Sequence, residues 1–514
     1  MAELYGRVLQ LACLVQGPDT EDCVTAQATR GDAATGLLAA LGRVAASPLL
    51  DSACTSAASV NPSASPSPSL NARPTPGPAV ALTQRRERLG AYLIQVGREQ
   101  GVLPLVAWAL GEVDQGSAAA QRGRTAIASL PEHPVAAVAP LPAPAATLGS
   151  ATTPFPVREL TALREQLGVH DGVDLGRRMA QLALMVRCQQ ALDRAGITSC
   201  VYKGVVLGEL CYPRWDLRQA GQDIDLLIAP EHLDGACVIL AGLGFRVVRP
   251  LPVRSRAFAM TMVGEVMLSD AQGAIIDLHW TLHMPYYRFG PPTAAVLATS
   301  RMITISGTAL QLRTLSAAES VLLVALHGAK EVWSQWRWLC DLALLLRSTP
   351  REEVRAAVAL ARARGCETLV LGAIMLVEHL SHRDHDAVGY GVLPPFPQPR
   401  AAALARRWRV AAHGGVLASH LELYRGSDHL GDRFRGLTAQ LRPWPADWQD
   451  LDLPRHWSWA YWLYRPWRLL GRTLGWRHEI PMTTPGAPGA PAAPVAPAAL
   501  SDQPGPPGTP TPHH

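Results

Sequence analysis

The stretch GQDIDLLI at 221–228 constrains this chain more than any other feature. Its residue types read as a strand, and in a strand successive side chains point to opposite faces. Asp223 and Asp225 therefore share one face, while Ile224 and Leu226 turn to the other. Two carboxylates about 7 Å apart along a strand repel each other unless a cation stands between them. Mg²⁺ answers that need, because it is held by one or two carboxylates together with substrate phosphates. The plainer alternative is a strand start with two solvated Asp side chains.

The surrounding pattern places this strand in a small sheet. A long helical pattern over 157–195 stops at Gly196, a natural helix end. ITSCVYK (197–203) is strand-like, GVVLGELCY (204–212) a short helix, DIDLLIA (223–229) a strand, and 230–244 a helix opened by Pro230 and stopped by Gly244. FRVVRP, AMTMVGEVMLSD and GAIIDLHWTL read as further strands. Beyond about residue 315 the periodicity is helical again. The expected fold class is α+β: a small mixed β-sheet core with helices, followed by an all-helical domain.

Composition supplies the boundaries. Gly and Pro contribute 43 residues each to the 514, and much of the Pro lies in Ser/Pro- or Ala-rich runs. The expected organisation is an N-terminal segment at 1–80 with a Ser/Pro linker, helices over 81–196 interrupted by a Pro/Ala-rich insert at 129–156, the α/β core at 197–314, the helical domain at 315–480, and a Pro/Gly/Ala tail at 481–514. Linkers and tail are expected to be disordered. Hydrophobic residues at 48% suffice for a sizeable core, which excludes a wholly disordered chain.

A net charge of +5 is small for this length, so nothing calls for an anionic membrane or a long nucleic acid as partner. The nine cysteines form no CxxC pair, which reads as reduced thiols in a cytoplasmic protein. No basic region opens a signal peptide, and no run of about 18 uncharged apolar residues suggests a membrane span.

Three further groups of residues bear on chemistry. Asp277 lies in the strand GAIIDLHW; beside 223–229 it would bring a third carboxylate to the same place. Three carboxylates around two ions are what a two-metal phosphoryl transfer requires. His279 shares the face of Asp277 and reads as a supporting residue of the sheet rather than a ligand. Lys203 and Gly204 stand where a strand turns into a helix, whose first N–H groups suit phosphate. Lys203 and Lys330 are the two lysines of a chain whose other basic side chains are arginines. In the helical region, His327, Lys330 and Asp341 fall on one face of an unbroken helix, or on two helices aimed at one cleft if it breaks near Ser334.

Together AGITSCVYKGVVLGELCYP, LRQAGQDIDLLIAPEHLDGACVILAGLGF, IDLHW and LHGAKEVWSQWRWLCDLALLLR resemble the uncharacterised bacterial nucleotidyltransferase family of the polymerase-β-like nucleotidyltransferase superfamily. That resemblance implies transfer of a nucleoside monophosphate from an NTP to an acceptor hydroxyl, with release of pyrophosphate. It makes Asp223, Asp225 and Asp277 the catalytic and metal-binding carboxylates, with two Mg²⁺ ions expected and Mn²⁺ as a substitute. Lys203, Gly204, Arg218, His327, Lys330 and Asp341 become the candidate nucleotide-binding residues. Lys203-Gly204 stands where better-known members have Gly-Ser, and Arg218 lies five residues before Asp223 where the family usually has four. The partners implied are an NTP and an unidentified acceptor. Two other readings stay open here: a non-catalytic nucleotide-binding or partner-docking protein on the same fold, and a DxD glycosyltransferase.

Overall fold

The computed structural model describes residues 37, 39–41, 89, 91, 93–111, 157–380, 398–410, 416–438 and 441–473. The expected linkers, the 129–156 insert and the 481–514 tail lie outside the described residues.

Helix α1 (Val157–Arg194) leads into the sheet. It ends as expected at Gly196, whose φ of 72° lets Ile197 N–H reach back to the Leu192 carbonyl at 3.0 Å. Strand β1 (Ser199–Tyr202) follows, then α2 (Gly204–Cys211), β2 (Asp223–Ile228), α3 (Leu233–Gly242), β3 (Arg246–Val247), α4 (Arg256–Met262), β4 (Glu265–Ser269) and β5 (Ile275–His279). The sheet order is β1-β2-β5-β4-β3. β2 and β5 pair in parallel, and the other neighbours are antiparallel. Alternation divides the sheet into two faces. Val201, Ile224, Leu226, Ile228, Val266, Leu268, Ile276 and Leu278 point to one side and pack with Leu182 and Met185 of α1 and Leu233 and Leu240 of α3. The acidic residues are left on the other.

One segment departs from its expectation. The pattern of AMTM predicts the start of a strand, but Arg256–Met262 is helical and the strand begins at Glu265. Short apolar runs look alike in either state, and neighbours decide. Here Ala259 is fully buried, Phe258 stacks on Tyr461 at 5.9 Å, and Trp280 Nε1 donates to the Met260 carbonyl at 3.2 Å.

After α5 (Thr293–Ala298), a hairpin of β6 (Arg301–Thr304) and β7 (Gln311–Thr314) packs beside β1. Gln189 of α1 stitches the two edges: its amide donates to the Ser199 and Arg313 carbonyls and accepts from Arg313 N–H.

The helical region opens with α6 (Ala317–Lys330), started by a capping box between Ser316 and Glu319. Next come α7 (Trp336–Ser348), α8 (Arg351–Ala363), α9 (Glu367–Leu380), α10 (Pro399–Val410), α11 (Val416–Gly426), α12 (Leu430–Thr438), α13 (Pro445–Asp450) and α14 (Tyr461–Thr473). Leu322, Leu326, Leu342, Leu345, Val370 and Ile374 form its core, which is continuous with Leu207 and Cys211 of α2. The chain does break between α6 and α7. Val332 and Trp333 both take φ of 53°, and the Trp333 ring lies over Gly328, where there is no room for a side chain. Among the described residues no helix is long and apolar enough to cross a membrane.

Candidate active site

The register of the sheet assembles the site. Asp225 of β2 faces Asp277 of β5 directly, and Tyr202 of β1 faces Asp225 on the other side. Glu265 of β4 faces His279 of β5. Pleating puts Asp223, Asp225, Asp277, His279, Glu265 and Tyr202 on the same face, opposite the apolar core. Asp223 and Asp225 share that face as the spacing requires, and the parallel pairing of β2 with β5 brings Asp277 alongside.

Lys203 joins them from the end of β1. Its Nζ donates to Asp225 Oδ1 at 2.7 Å. The same oxygen lies 3.2 Å from His279 Nε2, and His279 Nδ1 lies 3.0 Å from Glu265 Oε2. The imidazole thus bridges two carboxylates. Burial alone would lower its pKa, but Glu265 and Asp225 outweigh that and raise it. Burial would raise the Asp225 carboxyl, yet Lys203 and His279 hold it well below the ordinary carboxylate range. Lys203 is likewise held charged against burial, chiefly by Asp225. Asp277 is less well served: burial and the charges of Glu265, Asp223 and Asp225 outweigh the pull of His279 and push its carboxyl up to about 7. The face is therefore uneven, with one acid neutralised by protein cations and another left among like charges.

Lys203 reaches Asp225 through an uncommon backbone. It takes φ 61° and ψ −153° at the head of α2, a region costly for a residue with a side chain. Gly204 follows at φ 49°, and a Cβ on it would come within 2.9 Å of Met185 Cε. Arg218 Nη1 donates to the Gly204 carbonyl at 3.3 Å, fastening the turn from behind.

The remaining expected residues divide. Arg218 and Asp341 form a buried pair, Nε to Oδ1 and Nη2 to Oδ2, each at 2.9 Å. The Tyr212 hydroxyl also donates to Asp341 Oδ1 at 2.9 Å. Arg218 and Asp341 are both buried with their polar atoms engaged, and together they brace the turn at Gly204. His327 packs edge-on against Trp338 at 5.4 Å. Burial, then the charges of Lys203 and Lys330, lower its pKa well below the ordinary value, so its imidazole is neutral. Lys330 is half-exposed beside Glu331 at 3.5 Å. His327 thus feels the charges of Lys203 and Asp225, while Asp341 is engaged with Arg218 and Tyr212.

Residues 160–382 match the family model described as uncharacterised nucleotidyltransferase. This segment is similar to that family. No curated protein matches the chain. A solved structure of the antibiotic-resistance factor ANT(2'')-Ia, reported for its substrate-regulated conformation dynamics, is similar at 16% identity over 36% of this chain and 93% of its own, with a TM-score of 0.27.

The matched segment holds three residues at the site that sequence reasoning passed over. Glu265 was legible only as an acid in the apolar alternation of EVMLS, and its role came from strand pairing. Tyr202, adjacent to Lys203, carries its ring 5.5 Å from both His279 and Lys203 Nζ. Arg337 opens α7, and its pKa is lowered by burial and by Arg218, with Asp341 and Asp223 opposing. It is a half-buried cation that feels both Arg218 and Asp223.

The donor set suits a hard divalent ion: carboxylate oxygens from Asp223, Asp225 and Asp277 on one face, with Asp277 crowded by like charges. The side chains do not converge as they stand. Among the described residues no three His, Cys, Asp or Glu are arranged around one point. Asp225 Oδ1 is turned to Lys203 and His279.

Proposed function

We propose that the chain moves a nucleoside monophosphate from an NTP to a hydroxyl acceptor, with release of pyrophosphate, by a two-metal mechanism. The observation that carries this is the direct pairing of Asp225 with Asp277 across parallel strands, with Asp223 on the same face. Asp223, Asp225 and Asp277 would hold the ions, Mg²⁺ first and Mn²⁺ as a substitute. When bound, the ions supply charge neutralisation for the triphosphate and favour loss of the acceptor proton. The chain's own residues do the rest. The turn at Lys203-Gly204 offers the start of α2 to phosphate. His279 and Glu265 fix the orientation of Asp225. His327 and Lys330 present a neutral imidazole and an ammonium from α6 toward the nucleotide. Arg218 and Asp341 keep the Gly204 turn fastened to the helical region.

A non-catalytic binding role has one observation in its favour: protein cations already neutralise Asp225. The glycosyltransferase reading has none, since one parallel pair in a five-stranded sheet is not the large parallel sheet such enzymes use. Incubation with Mg²⁺ and α-labelled NTPs, with cell lysate as acceptor source, separates the first two. Pyrophosphate release and a labelled product are expected, both lost in Asp223→Asn with its melting temperature unchanged or raised. Nucleotide binding without release under every NTP overturns the catalytic reading, and a fully active Asp223→Asn removes Asp223 from it.

A further inference from the structure

Lys203 has two places to put its charge. The ammonium now sits 2.7 Å from Asp225 Oδ1, an oxygen that His279 Nε2 also approaches at 3.2 Å. A divalent ion on that carboxylate would meet the ammonium at close range, where repulsion between positive charges is several kcal/mol even at an effective dielectric of about 20. Ion and ammonium cannot share the oxygen, so one must leave. His279 is tied at its other nitrogen to Glu265, whereas Lys203 has a free four-carbon stem. The Lys203 side chain is also more open to solvent than Asp225, 21% against 8%, so a way out exists.

Where Lys203 would go is set by its backbone. It is the residue immediately before α2, whose first turn carries no side-chain cap. The φ of 61° and ψ of −153° hold it at the junction between the acidic face and that helix start, and strain of this kind persists only where the surroundings impose it. The choice of residue fits a moving charge. Arginine is the chain's usual cation, and the buried pair of Arg218 with Asp341 shows it locking with two parallel hydrogen bonds. A lysine makes one contact and can let go.

We propose that Lys203 is a two-position counter-ion, neutralising Asp225 before a divalent ion binds and moving to the triphosphate when the ion takes its place. This rests on the divalent-ion reading above. It makes metal and triphosphate binding mutually reinforcing through one side chain, because each relieves a cost of the other.

The test uses the scarcity of lysine. The full chain labelled with ¹³C at lysine Cε gives two signals, and Lys330→Arg assigns them. Mg²⁺ alone is expected to shift the Lys203 signal, and inorganic tripolyphosphate with Mg²⁺ to shift it again to a third position. Calorimetry on Lys203→Met adds an opposed pair of effects: about tenfold or more tighter binding of Mn²⁺ alone, and about tenfold or more weaker binding of tripolyphosphate in the presence of Mg²⁺, each close to 1.4 kcal/mol. Wild-type protein that binds both probes with an unmoved Lys203 signal overturns this inference alone, as does a Lys203→Met variant whose two affinities change in the same direction. Wild-type protein that binds neither probe overturns this inference and the divalent-ion reading together.

Discussion

Arg218 and Asp341 lie side by side in a bidentate pair, two N–O contacts of 2.9 Å, at 6% and 2% side-chain exposure. One belongs to the loop before β2 and the other to α7, so this pair fastens the sheet to the helical region. Asp341 pushes the Arg218 pKa further up despite burial. Removing one partner strands a buried charge, which costs about 3–5 kcal/mol. Arg218→Ala is expected to lower Tm by roughly 10 °C. The double variant Arg218→Met, Asp341→Leu should recover much of that loss, because both charges leave together. Calorimetric melts check this. Arg218→Ala with an unchanged Tm and weakened nucleotide binding would return the pair to the ligand-contacting role its sequence position suggests.

Asp277 gives a pH dependence of definite sign. An unfolded Asp titrates near 3.9, and in the folded chain burial and neighbouring carboxylates raise it to about 7. The folded state binds the proton more tightly, so the contribution is fully present below about pH 4 and lost as pH rises through about 7. Metal-free Asp277→Asn should therefore gain about 1–2 kcal/mol over wild type near pH 8 and little near pH 4. Thermal melts in a chelator measure the difference; parallel curves for the two proteins would contradict the account.

Glu265→Gln tests the residue that strand pairing revealed. Its carboxylate is half-exposed, so stability should barely change. His279 loses one of the two charges that raise its pKa, and its imidazole signals should titrate at lower pH in NMR. If Asp225 depends on His279 for orientation, turnover should fall about 10–100-fold with KM little altered. A pure stability loss with normal turnover per folded molecule would speak against that role.

Gly208 lies in α2 against the backbone carbonyl of Trp215, with no space for a Cβ. Backbone cannot swing aside as a long side chain can. Gly208→Ala should cost about 1–3 kcal/mol through overpacking and displace the helix that Lys203 and Gly204 begin. The expected readout is a Tm several degrees lower together with weakened nucleotide binding. An unshifted Tm would mean that α2 moves freely over the loop.

The alternation of GQDIDLLI was enough to put Asp223 and Asp225 on one face, and Gly196 was enough to end α1, because both follow from backbone geometry within a few residues. The same local rules made AMTM ambiguous, and contacts from Trp280, just past β5, and from Tyr461, far along the chain, settled it as helix. They also could not show that Asp225 would meet Asp277 in register, that Glu265 would stand opposite His279, or that Arg218 would find Asp341 across 123 residues. Periodicity tells which face a side chain takes, since that depends on its own strand or helix. Which other face it meets depends on strand order, register and burial, and those are fixed only when distant segments exclude water together.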